Sequence, residues 1–407
     1  MAWWNRKSAP SPIDLAGLVG WMGWGTKSGQ VVTEPSALDV TAVFCAARVI
    51  AEGIAQMPIR VVSKELDANG RQTLTVMNDH WAHQLLAVKP NQWQTSYEFI
   101  EGMIFNAVIG RGALAIKNVS GGQVRHLLPV PSGSWTVEQL QDWTLRVRVD
   151  HADKTHSYFA LDQVVYLRGP SLDGYQALPA VRQAREAIGL SQALEKQQSK
   201  LAGNGGKPSG VLSFAQKLAP ETVKKLQATW QERFGPDGDG GIAILDGDAK
   251  FASMVMTSVD AQHLETRRMQ IEEIARAFRV QPIMLMQSDK AATFASAEQM
   301  FRMHVIHTLG PWIERLEQVL NRDVLGNESG LSFDLDERNL LRGDFKDQAE
   351  YYTKALGAGG QPAWMTVNEI RNEVGLNPIQ DVWANTVSQG AMTPAAPDTG
   401  VPSNAGA

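Results

Sequence analysis

Apolar residues at Val40, Val43, Phe44, Ala47, Ile50 and Ile54 recur at the three- and four-residue spacing of one helical face, and the pattern stops at Pro58. Ser36 followed by Asp39 supplies a start signal, so the spacing predicts a core helix. A second helix opens at the T-x-x-E box of Thr95 and Glu98 and runs through Ile100, Ile104 and Val108 to the breaker Gly110-Arg111-Gly112. The period then becomes two. Residues 113–119 and 123–130 flank Ser120-Gly121-Gly122 as a hairpin, and 143–150, 155–160 and 164–167 alternate further. Residues 36–170 therefore predict a mixed α+β unit with an antiparallel sheet. Ahead of them, residues 1–33 hold Trp3, Trp4, Trp21 and Trp24 without a sustained period, which predicts a flexible arm.

From Pro179 the helical period returns and runs to about Ala202, ending at Gly203-Asn204-Gly205-Gly206. A second long helix starts at Asp260, carries Leu264, Ile271, Ile274, Ala275 and Phe278, and stops at Val280-Gln281-Pro282. Both rods are about 30–34 Å long. Between them, an extended run at 210–214, a helix at 220–234 and a strand at 242–245 form a compact insert, so the pattern predicts an antiparallel stalk with a small tip. Residues 283–295 show no period. Ser296 with Gln299 marks a helix reaching about Leu325, and Pro311 beside Gly310 predicts a kink in it. Helices at 344–356 and 366–374 follow, the latter behind a Thr366/Glu369 box, and beyond Pro378 the composition predicts disorder.

Composition narrows the functional classes. The 407 residues are 43% hydrophobic and 20% charged, as in a globular chain. No apolar run approaches the roughly 18 residues that span a bilayer, which predicts no membrane partner. The single cysteine, Cys45, excludes an intrachain disulfide and thiolate zinc sites, and its apolar helical face predicts a buried thiol. A net charge of −5 argues against a protein that coats nucleic acid by neutralising phosphates. The pairs His80/His83 and His304/His307 lack the carboxylate or third imidazole of a metal site. The string GWMGWGTKS at 20–28 has Thr26 where a phosphate loop needs glycine, and no catalytic constellation emerges, so no metal, cofactor or enzymatic activity is expected. Glu272 and Arg276 stand at the favourable four-residue spacing on the second rod.

The order of these elements resembles the portal proteins of tailed bacteriophages, in particular the long-tailed siphovirus type. The likeness is carried by VFCAARVIAEGIAQMP at 43–58, by Leu85-Leu86 through Pro90-Asn91 with 95–101, and by the glycine turn into a strand at 110–116. It continues in Ala261-Gln262, Leu264-Glu265 and Arg267-Arg268, in IARAFRVQP at 274–282, and in Asn368-Glu369-x-Arg371 with Gly375-Leu376. One departure is Gln281, since proline often follows the valine directly in the family.

The resemblance implies an α+β, mainly α fold with wing, stem, clip and crown, assembled as a ring of about twelve subunits at one capsid vertex. Mapped on this chain, 1–35 is an N-terminal arm, 36–177 the wing, 178–202 and 258–280 the two stem helices, and 203–257 the clip. Residues 281–297 become the tunnel loop, 298–343 the kinked helix and return to the wing, 344–385 the crown, and 386–407 a disordered tail. It further implies a conduit for double-stranded DNA, packaged by terminase and later ejected. Its partners would be the terminase large subunit, a head-tail connector and the major capsid protein, in a virion assembled in the host cytoplasm. Twelve copies at −5 each give −60, an acidic ring suited to letting a polyanion pass. Candidate channel residues are Gln287, Ser288, Asp289, Lys290 and Thr293, and Leu264, Ile271, Ile274 and Phe278 are expected at the subunit interface of the stem. Lys217, Lys224, Lys225, Glu232 and Arg233 are expected to meet terminase or the connector. The competing readings are a head structural protein with protein partners alone, and an enzyme with an unrecognised site.

Overall fold

The computed structural model describes residues 23–66, 72–203, 211–213, 219–225, 250–252, 259–287, 294–326, 328, 330–337, 345–358, 362–374 and 379–387. The chain divides into two compact units, 1–336 and 337–407. Among the described residues no helix is long and apolar enough to cross a membrane.

The first unit opens with structure where a flexible arm was expected. Strands β1 (Trp24–Gly25) and β2 (Val31–Val32) pair antiparallel around a turn held by Thr26, whose Oγ1 donates to the Gln30 carbonyl at 2.8 Å. Val32 is fully buried. Helix α1 (Glu34–Ala37) is capped by Thr33, with Ser36 returning the bond to the Thr33 N–H at 2.8 Å. Ser36 therefore serves α1, with Pro35 in its first turn, and does not start the core helix. That helix, α2 (Thr41–Ala55), begins behind Val40 with no side-chain cap, and is held instead by its buried face Val43, Ala46, Ala47, Ile50 and Ile54.

Strands β3 (Ile59–Leu66) and β4 (Gln72–Val76) pair next, and α3 (Trp81–His83) continues as a π-turn at Gln84–Val88. His80 caps α3 through Nδ1 and meets Glu328 through Nε2 at 2.8 Å. Helix α4 (Ser96–Ile109) has the expected Thr95/Glu98 box and packs along α2. The hairpin of β5 (Ala113–Ser120) and β6 (Gln123–Val130) turns at Gly121-Gly122, both at positive φ (63° and 78°), the two-glycine turn that matches strand twist. Strands β7 (Trp135–Gln139), β8 (Leu145–Asp150) and β9 (His156–Ala160) form a meander, and β10 (Val164–Leu167) joins β5 on its other edge. The two sheets share a core of Leu114, Val137, Val147, Val164, Trp135 and Tyr166, with the last two rings edge-on at 5.5 Å. Gly112 leads into β5 at φ +128°, where a Cβ would lie 2.7 Å from the Leu167 carbonyl.

The first rod is interrupted. α5 (Ala180–Gln183) follows Pro179, the chain breaks at Ala184, and α6 (Arg185–Gly203) carries on. In the insert, β11 (Val211–Ser213) pairs with β12 (Lys250–Ala252), residues 220–225 are helical, and the strand expected at 242–245 lies outside the described residues. α7 (Val259–Phe278) is the second rod and packs antiparallel on α6, with Arg267 Nη2 3.2 Å from Glu195 Oε1. Arg276 pairs with Glu273, three residues back, in place of Glu272.

Beyond α7 the unpatterned stretch is shorter than expected, since Pro282–Leu285 form a 3-10 turn and α8 (Phe294–His304) begins two residues before Ser296. The expected kink is a π-turn, Val305–Leu309, which runs on in helical backbone into α9 (Gly310–Leu320) just ahead of Pro311, whose missing N–H leaves one bond of a regular helix unmade. A second π-turn, Asn321–Leu325, leads to β13 (Leu331–Leu335), which returns to β3 in the register Phe333 to Val61. Arg60 fastens this pairing through Asp334 (3.1 Å) and Asp336 (2.9 Å). The second unit holds α10 (Phe345–Ala355) and α11 (Val367–Val374), the latter behind the expected Thr366/Glu369 box.

The stem stripe needs correction. Ile274 is 0% exposed and Phe278 is buried within a single chain, because this end of α7 packs on α2 and α5. They belong to the chain's own core and are not free to meet another copy. Ile271 is half-buried, and the side chain of Leu264 lies outside the described residues.

Three outcomes follow from this packing. Gly112→Ala should cost about 1–3 kcal/mol from backbone strain alone, read as a lowered urea midpoint. Ile274→Ala should cost about 2–5 kcal/mol in the isolated chain, and an unchanged midpoint would place the side chain at the surface. Burial holds the His304 imidazole below its ordinary pKa of 6.5, and its Nδ1 has no partner. Below pH 6.5 the unfolded chain takes up a proton that the folded chain refuses, so stability should fall as pH drops through that window. His304→Leu should flatten this limb of the pH–stability curve.

Candidate assembly and channel surfaces

The best-described of the candidate surfaces lies at the seat where the end of α7 meets α2. Along α7 the environment changes abruptly. Glu265, Arg267, Arg268 and Met269 are exposed, Met269 at 59%, whereas Gln270, Ile274, Ala275 and Phe278 are buried. Helical spacing places Ile274 and Phe278 on one face, and the apolar side of α2 receives them. The helix ends at Arg279, in the left-handed region at φ 59°, and Thr308 Oγ1 donates to the Arg279 carbonyl at 2.6 Å. That bond ties the rod's end to the π-turn.

The 3-10 turn Pro282–Leu285 is pinned to α2 beside Cys45, whose Sγ lies 3.7 Å from the Met284 carbonyl. Cys45 is half-buried, and burial pushes its thiol pKa up, so it is a packed and unreactive group. Met286 then adopts φ 60° with 91% of its surface exposed. Gln287 is half-buried, with Oε1 buried and without a partner. Of the five channel candidates, Gln287 alone falls on the described residues. Ser288, Asp289, Lys290 and Thr293 lie outside them. On the described side, the Gln287 N–H donates to the Pro282 carbonyl at 3.2 Å, and Phe294 opens α8.

In the insert, Lys224 and Lys225 are exposed on the helical residues 220–225, while Lys217, Glu232 and Arg233 lie outside the described residues. The long-range pairing of β11 with β12 closes the insert at its base, a contact between residues some 40 positions apart that local pattern could not reveal. Sequence reasoning also missed the anchoring of the N-terminal hairpin to the first rod. Thr26 packs so closely on Gly189 that a Cβ there would lie 2.7 Å from it, Lys27 N–H donates to Glu186 at 3.1 Å, and Gln192 Nε2 donates to the Ser36 carbonyl at 2.7 Å. Gly189 within a helical run was the available signal, since a helical glycine marks a close approach. Among the described residues no group of His, Cys, Asp and Glu is placed to hold a metal.

Known proteins share this arrangement. A model of the phage portal protein family matches residues 41–375. The chain is 26% identical over 380 residues to the probable portal protein of Streptomyces phage phiC31, covering 88% of this chain and 79% of that protein. It is also 26% identical over 380 residues to the portal protein of Enterobacteria phage HK97, covering 92% and 86%. The fold superposes on the crystal structure of an HK97-family phage portal protein from Corynebacterium diphtheriae with a TM-score of 0.56 at 16% identity, covering 75% of this chain and 95% of that one. Against a chain from the neck of a native gene transfer agent particle with C12 symmetry, the TM-score is 0.59 at 20% identity, covering 88% and 95%. The α+β body, the paired rods seated on it and the family match across most of its length together place this chain in the phage portal protein family.

Proposed function

We propose that about twelve copies of this chain close into a ring at one capsid vertex, through which double-stranded DNA enters during packaging and later leaves. The observation that carries this reading is the family match over 41–375, which spans the α+β body, both rods, the insert and α11. The geometry supports it. The exposed side chains Glu265, Arg268 and Met269 on the middle of α7 give the rod surface to share with neighbours, and the turn ahead of Gln287 is held by Thr308, Cys45 and Met284. Residues 288–293 with Gln287 face the DNA, touching phosphates without clamping them, since one lysine and one aspartate cancel. The insert, through Lys224 and Lys225 together with Lys217, Glu232 and Arg233, meets the terminase large subunit and the connector. The α+β body contacts the major capsid protein.

Electron micrographs of the purified full-length chain should show rings with a central hole wide enough for duplex DNA. Solid particles or a stable monomer at every salt concentration would end this reading. Deleting 289–293 should preserve rings and reduce packaged or retained DNA, and a map placing this segment on the outer rim would remove it from the channel.

A further inference from the structure

Three arginines gather at the head of the rods without a carboxylate. Arg279 and Arg315 line a cavity of about 270 Å³ whose walls include Phe278, Leu178 and Trp312. Arg168 adjoins Gly169 in the same wall, and its charge and that of Arg279 both act on the Arg315 guanidinium. Arg315 is half-buried, donates to the Pro311 carbonyl of its own helix at 3.4 Å, and lies 5.4 Å from the centre of the Trp312 ring. Burial first, and then the two neighbouring cations, push its pKa down. Several arginines elsewhere in the chain are paired: Arg60 with Asp334 and Asp336, Arg146 and Arg148 with Glu138, Arg322 with Asp323. Among the described residues, Arg168, Arg279 and Arg315 form no ion pair. A guanidinium does not give up its proton, so the folded chain keeps three adjacent positive charges, one of them desolvated, and an anion from outside would relieve them.

The cavity is smaller than the usual range for cofactor sites, about 300–1,000 Å³. It suits inserted side chains. A duplex carries its phosphates on the outside of a stiff rod and touches what protrudes, whereas this pocket is sunk among Trp312, Pro170 and Leu178. A complementary surface exists on the chain itself. Glu265 and Glu272 stand seven residues apart on one face of α7 with the exposed Met269 between them, and neither glutamate forms an ion pair among the described residues. Arg268 shares that face, also exposed and without an ion pair. Two different patches on one chain that fit each other give a head-to-tail contact, the kind that closes into rings.

We propose that Arg168, Arg279 and Arg315 of one copy receive the face of α7 carrying Glu265, Met269 and Glu272 from the neighbouring copy, as an inter-subunit ion-pair site completed only on assembly. This rests on the ring reading above. The test uses the full chain and native mass measurement at fixed subunit concentration. Arg315→Glu should fold, since the new carboxylate can pair with Arg168 and Arg279 internally, yet lower the ring fraction about tenfold or more. Arg315→Gln should weaken assembly in the same direction, and Glu272→Arg should weaken it from the other side. Arg315→Glu combined with Glu272→Arg should recover rings. Wild-type rings with indifferent single variants would overturn this site and leave the ring reading intact, as would failure of the double variant to recover. Intact Arg315→Glu rings that retain less DNA would assign the groove to phosphate and overturn the proposal. A monomeric wild-type chain would instead remove the ring reading itself.

Discussion

The burial of the last two turns of α7 against α2 governs this structure. Ile274 and Phe278 are enclosed by α2 and its neighbours, and burying each such side chain is worth about 1.5–3 kcal/mol. A turn and a half earlier, Met269 meets solvent. The rod is therefore held on the body by its last two turns, and along its side by α6, where Arg267 meets Glu195. Every other contact near the seat adds to that hold: the Thr308 hydroxyl on the Arg279 carbonyl, the Met284 carbonyl beside Cys45, and the N-terminal hairpin clamped to α6 by Glu186 and Gln192.

The kinked helix is the counterpart of this seat. Two π-turns separate α8, α9 and the return to β13, and each stands where the helix meets another element. At the second, Asp323 is buried, chelated by Arg322 at 2.6 and 2.8 Å, while Lys117 Nζ donates to its backbone carbonyl at 2.5 Å. The helix thus joins the strands of the α+β body at one end and the rod's seat at the other, so a displacement of the rod would be felt in the sheet through packed contacts.

Charge is distributed with the same division of labour. Arg60, Arg146 and Arg148 on the strands are neutralised by carboxylates, as Glu138 does for Arg146 and Arg148. The arginines at the rod's head are not. In a chain with an excess of acid, Arg279 and Arg315 line one cavity and form no ion pair among the described residues.

Local elements with strong chemical signals are legible in the amino-acid order alone. The Thr95/Glu98 and Thr366/Glu369 boxes, the Gly121-Gly122 turn and the start of the rod before Asp260 are all legible because each depends on residues within a few positions. The ordered motifs from Val43 to Leu376 also carried the family resemblance. What the stripe on α7 does depends on long-range packing. An apolar helical face records that something must cover it, and the covering element, α2, lies more than 200 residues away. For the same reason local pattern does not pair β3 with β13 or assign Ser36 to α1, and Thr26, a flaw in a phosphate loop by pattern, is the side chain that Gly189 accommodates. Periodicity specifies which side of an element is buried; long-range packing chooses what buries it.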